Sequence, residues 1–201
     1  MKKSKRYLEI KSKIEDKAYS LNDSVSLIKD ISSAKFDESV EIHLMTNADP
    51  KNADEQLRTV ADLPHGTGKK IRVLVFAEGD AAVSAKEAGA DFISDDEIVK
   101  NIEKGWQDFD VAIATPDQMS KIGKLGKFLG RKGLMPNPKT GTVVQPQNIS
   151  QAISASKKGR TEIKMDSASV IHFNVGKASF TPDQLIENTR SVIKTIFDSK
   201  P

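Results

Sequence analysis

Cysteine is absent from this 201-residue chain. That excludes a disulfide framework and any thiolate metal site, and it fits a reducing compartment. Long hydrophobic runs are missing too. The longest mainly apolar stretch, residues 71–77, is far shorter than the roughly 20 residues that cross a bilayer as a helix. The N-terminal MKKSKRYLEIKSKIEDK is basic, but no apolar stretch follows it, so it lacks the pattern of a signal peptide and a cytoplasmic location is expected. Aromatic residues make up only 5%, which argues against single-strand recognition by stacking platforms. The most informative absence is local: no Asp or Glu occurs between Asp117 and Glu162.

That acid-free window holds nine bases, Lys121, Lys124, Lys127, Arg131, Lys132, Lys139, Lys157, Lys158 and Arg160. With 31 basic and 28 acidic residues in total, 22 bases and 28 acids remain elsewhere, so a +9 segment sits in a chain that is otherwise −6. A concentrated positive field of this kind points to a polyanionic partner. Lys121, Lys124, Lys127 and Arg131 recur every three or four residues and would share one face of a continuous helix. Folded RNA, read by shape, phosphate and 2′-hydroxyl, fits the scarcity of aromatics better than a single strand does.

Apolar periodicity predicts an amphipathic helix over residues 5–18 and a second one capped by Asn22 or Asp23. Val40, Ile42 and Leu44 alternate with polar residues as in a half-buried strand, and residues 46–69 are turn-rich. The character then changes. Buried strands are expected at 71–77, 91–94 and 110–115, with helices at 81–88 and 95–104, the pattern of βαβ crossovers and a parallel sheet. A helix from Pro116, weakened by the glycines at 123, 126 and 130, is followed by a short strand at 142–144 and a helix at 147–158. Alternation returns at 160–166 and 170–175, as an expected antiparallel hairpin, and a last helix starts at Pro182. Neither chain end has a core alone. The simplest fold class combines α/β and α+β: a split two-layer α+β domain from residues 1–64 and 157–201, with a Rossmann-like α/β domain, 65–156, inserted through two hinges.

Catalytic chemistry is thinly represented. His43, His65 and His172 are far apart, and none has metal-ligand company at a recognisable spacing, so no metal site and no cofactor are expected. Gly66-Thr67-Gly68-Lys69-Lys70 precedes a strand instead of joining strand to helix and lacks phosphate-loop spacing. The alternative to a nucleic-acid binder is a nucleotide-dependent α/β enzyme. Its phosphate turn would follow Phe76, where Ala77-Glu78-Gly79-Asp80 is acidic and has one glycine.

Four ordered stretches carry a specific resemblance: SAKFDESV (33–40), LPHGTGK (63–69), LGKFLGRKGLMPNPKTGTV (125–143) and IHFNVGKASF (171–180). Together they resemble the family of the first protein of the large ribosomal subunit, bacterial type. The resemblance implies a non-enzymatic protein, monomeric apart from the ribosome, with a split domain and an inserted one. It implies binding to large-subunit ribosomal RNA in a mobile stalk near the exit site, help in releasing deacylated exit-site tRNA, and repression of its own messenger RNA. Carried over position by position, the RNA contact falls on Lys35, Phe36 and Ser39, and more weakly on Asp166 and Ser167. The weaker transfer reflects Asp166-Ser167-Ala168-Ser169 standing where the family has Lys and Gly. Lys121, Lys124, Lys127, Arg131, Lys132 and Lys139 become secondary contacts to phosphate or tRNA. Family members commonly add a strand with an RNA-contacting Ser-x-Thr-Met-Gly-type segment after the last helix, so the split-domain sheet is expected to lack that strand here.

Overall fold

The computed structural model describes residues 3–52 and 54–199. Helices α1 (Lys5–Lys13) and α2 (Leu21–Ile31) precede strands β1 (Ser39–Met45) and β2 (Arg58–Asp62). Strand β3 (Val73–Phe76), helix α3 (Asp80–Glu87), strand β4 (Phe92–Ile93), helix α4 (Asp96–Glu103) and strand β5 (Val111–Ala114) follow. Short helices α5 (Met119–Ile122) and α6 (Gly126–Leu129) lead to α7 (Ile149–Lys158), β6 (Arg160–Lys164), β7 (Val170–Lys177) and α8 (Pro182–Asp198).

Both chain ends build one core. Strand β1 pairs antiparallel with β7, and β2 pairs antiparallel with β6. Their inward residues, among them Val40, Ala61, Ile163, Ile171, Phe173 and Val175, pack against Val25 of α2 and Leu185, Ile186 and Val192 of α8. Each fully buried aliphatic side chain, such as Ile163 or Ile171, contributes about 1.5–3 kcal/mol by leaving water. Helix α8 is well started: Thr181 and Gln184 form a reciprocal capping box, with Pro182 in the first turn.

The middle of the chain forms a three-stranded parallel sheet in the order β4-β3-β5. Successive side chains of β3 point to opposite faces. Leu74 and Phe76 join Ile102, Phe109, Leu125 and Leu129 on one side, while Val73 and Val75 join Ala85, Ile113, Ile149 and Ile153 on the other. A strand covered on both faces explains the uninterrupted apolar run in its sequence.

Several local expectations are corrected. Helix α1 stops at Lys13, and α2 is capped by Ser20, not by Asn22 or Asp23. Asp23 instead donates its N–H to Ser20 Oγ and accepts that hydroxyl on Oδ2, a reciprocal pair that fixes the first turn. Strand β2 lies inside the stretch expected to be turns. The segment from Pro116 to Lys132 is not one helix. It alternates α and tighter 3-10 turns, and Gly133 ends it in the left-handed region at φ +71°. The strand expected at 142–144 is a single parallel bridge between Ala114 and Val143. The expected hairpin is also loose, because β6 and β7 share one bridge, Met165 to Ile171, while their ladders run with β2 and β1.

Candidate nucleic-acid interface

The turn that leads into β1 presents Lys35 and Phe36 to solvent, with Phe36 73% exposed. A large apolar ring held this far out of the core needs a reason, and the turn beneath it is firmly fastened. Asp37 accepts from the Ser179 N–H and hydroxyl, and the Glu38 carbonyl accepts from the Ala178 N–H. The Glu38 carboxylate accepts from Arg6 at 2.7 Å and from the Ala34 N–H. Desolvation pushes that carboxyl up, but the Arg6 and Ala34 donors outweigh it and hold it below the ordinary glutamate value. Ser39 follows, its hydroxyl accepting from Lys177 Nζ at 2.8 Å.

From Ser39 an outward stripe runs along β1 and β7. Glu41 stands opposite Asn174, His43 opposite His172, and Met45, 84% exposed, opposite Val170. At the far end lies the loop of Asp166 and Ser167. Asp166 Oδ1 accepts from the Ala168 and Val170 N–H groups, and Oδ2 lies 3.2 Å from His172 Nε2. The Val170 N–H first, and His172 second, hold the Asp166 carboxyl below the usual aspartate value. Asp166 therefore shapes its turn, and Ser167 and Ala168 are exposed there. These two halves of the expected RNA site are not one cluster. They sit at opposite ends of seven-residue β1, about 20 Å apart, with the outward stripe between them.

The expected secondary contacts divide. Lys124, Lys127, Arg131, Lys132 and Lys139 are exposed, and none makes an ion pair among the described residues. Lys121 instead pairs with Glu78 at 2.5 Å. A cleft of about 250 Å³ separates the parallel-sheet region from β2 and β6, with Val60, Asp110, Thr140 and Arg160 in its walls. The Nε of Arg160 is buried there without a partner.

Sequence reasoning missed the His43–His172 pair, along with Asn174 and Lys177 on the same stripe. Alternation places each histidine on an outward face; only the β1–β7 register brings them together.

The crevice at the carboxyl ends of β3 and β4, where an α/β enzyme would bind a nucleotide, is small, about 50 Å³. Glu78, Asp95 and Asp96 line it with Lys121, a net negative charge that repels phosphate, and Asp95 is used to cap α4. Among the described residues, no group of three or more His, Cys, Asp or Glu is placed to hold a metal ion, and no helix is long and apolar enough to cross a membrane.

The described residues thus form a mixed α/β scaffold that displays exposed cations free of ion pairs on residues 124–139 and an exposed aromatic, Phe36, on an anchored turn. Residues 28–201 match the model of the ribosomal protein L1p/L10e family. The chain belongs to that family. Large ribosomal subunit protein uL1 of Dehalococcoides mccartyi (strain ATCC BAA-2100) is 54% identical over 198 residues, covering 98% of this chain and 84% of that protein. The uL1 proteins of Fervidobacterium nodosum and Kosmotoga olearia are 52% and 49% identical, covering 100% of this chain and 85% and 86% of theirs.

Proposed function

We propose that the chain is a constituent of the large ribosomal subunit that grips a folded stalk of ribosomal RNA with the outward side of β1 and β7. The observation that carries this reading is the anchored turn offering Lys35 and the 73%-exposed Phe36 at the start of β1. Phe36 supplies an apolar face for one unstacked base or a ribose, and Lys35 supplies a phosphate contact. Ser39, and Ser167 at the far end of the strand, extend the footprint.

In this reading residues 1–64 with 157–201 form one domain and 65–156 form a second one. The two join where Gly66 meets Gly159. The exposed lysines of residues 124–139 then add nonspecific attraction to RNA or to tRNA leaving the exit site. Repression of the chain's own message follows if that message folds into a copy of the ribosomal site. Binding to a stalk-like RNA and to an unrelated folded RNA, measured across salt, tests the proposal. A preference of at least tenfold for the stalk is expected, and equal affinity would remove specific recognition. Co-sedimentation with large subunits tests assembly separately.

A further inference from the structure

The most specific constellation of side chains outside the anchored turn is built on two histidines. His43 and His172 are direct partners in the β1–β7 register, and both are exposed. Their rings meet edge to face, with centroids 4.8 Å apart, and the two Nδ1 atoms converge to 2.5 Å. The other nitrogen of His172, Nε2, lies 3.2 Å from Asp166 Oδ2. An ionised carboxylate only accepts, so His172 must carry its proton on Nε2. In the neutral ring Nδ1 then accepts from His43 Nδ1–H, a proton that a metal ion would displace as His43 shifts to its other tautomer.

Asp166 is itself immobilised by the Ala168 and Val170 N–H groups. Backbone holds carboxylate, carboxylate holds imidazole, and the imidazole presents a lone pair beside a second imidazole nitrogen. Metal-binding histidines are commonly oriented by such a chain.

We propose that His43 and His172 bind one divalent first-row transition cation, Zn²⁺, Ni²⁺ or Cu²⁺, through their Nδ1 atoms, with Asp166 as the positioning residue. Imidazole nitrogen suits these borderline ions, whereas Mg²⁺ and Ca²⁺ prefer oxygen. At a metal–nitrogen distance of about 2.05 Å, two nitrogens on a tetrahedral ion stand about 3.3 Å apart. The rings therefore need to part by only about 0.8 Å, which exposed side chains accommodate by rotation. No third protein ligand converges on the point among the described residues, so water completes the shell on the solvent side. The nearest other ionisable groups on this stripe are Glu41, two positions back on β1, and Lys177, opposite Ser39. A bound ion would tie β1 to β7 and fix the Asp166 loop.

Calorimetric titration of the metal-free full chain with zinc chloride tests this site, with copper(II) electron paramagnetic resonance as the second readout. One saturable site is expected, with nitrogen hyperfine structure from two equivalent ligands. His43→Asn and His172→Asn should each abolish it, and Asp166→Asn should weaken it about 10- to 100-fold. Circular dichroism should show both histidine variants folded, since the side chains they alter are exposed. Absence of saturable binding overturns the proposal. So does a His43→Asn variant that binds like wild type, which would move the ion elsewhere, for instance to His65 and Glu187.

Discussion

Gly159, the residue between α7 and β6, lies directly against Gly66 in the loop before β3: a Cβ built on Gly159 would stand 2.4 Å from Gly66 Cα. Both have positive φ, +112° and +68°. The two passages between the chain-end core and the parallel sheet therefore touch backbone to backbone, and only glycine at 159 permits it. Gly159→Ala should destabilise the fold by roughly 2–4 kcal/mol, combining positive-φ strain with a clash against backbone. Gly123→Ala is the control. That residue is helical at φ −53°, and a Cβ added there would meet nothing within 4 Å. It should be neutral or stabilise by about 0.4–1 kcal/mol. Chemical denaturation of both variants checks the pair.

Phe36→Ala should leave the melting temperature nearly unchanged, because the ring contributes little to the core, yet it should weaken stalk-RNA binding by about 1–3 kcal/mol if one base stacks on it. Lys35→Ala should weaken binding less and lower the salt dependence of the affinity. Filter binding against thermal melting separates the two effects. A Phe36→Ala variant that melts early and binds normally would mean the ring is structural.

The exposed cations of residues 124–139 should appear in the salt dependence. Each phosphate contact removed should flatten the slope of log affinity against log salt by about 0.7–0.9. Lys124→Ala combined with Arg131→Ala is therefore expected to reduce affinity for stalk and unrelated RNA alike. Lys121→Ala should do less, because Glu78 already engages that charge.

Acid should loosen the parallel sheet. Burial pushes Asp110 up, but Lys69, the Arg72 N–H and the Arg72 side chain outweigh it, leaving its carboxyl below the ordinary aspartate value. Asp91 behaves alike, with burial opposed by the Val73 N–H and Lys157. A depressed folded-state pKa means the stabilisation is complete above the unfolded value, about 3.9, and is lost as pH falls through the lower folded one. Stability should thus drop below about pH 4. Asp110→Asn should cost about 1–2 kcal/mol near neutral pH and blunt the acid dependence, as measured by denaturation from pH 7 down to pH 3.

Much of this was legible in sequence where periodicity is strong. The apolar run of β3, the start of α8 at Pro182 and the alternation of β1 needed no tertiary knowledge. Strand β2 was hidden because Thr59, Val60 and Ala61 are small and the acidic Asp62 closes the run, so nothing outweighed the surrounding turn residues. The segment 116–132 looked like one lysine-faced helix, but its glycines allow the tighter turns that pack Ile122, Leu125 and Leu129 inward. Lys35 and Phe36 came from the family resemblance and proved exposed. The histidine pair was invisible because 129 residues separate its members and only strand register joins them.

That same register sets the order in which the chain acquires structure during synthesis. Strand β1 cannot pair until β7 emerges, some 130 residues later, a delay on the order of ten seconds at ordinary elongation rates. The β3–β5 sheet, whose partners are near in sequence, closes meanwhile. For that interval the apolar sides of α2 and β1 have no core to enter, so the beginning of this protein depends on its end for shelter from aggregation.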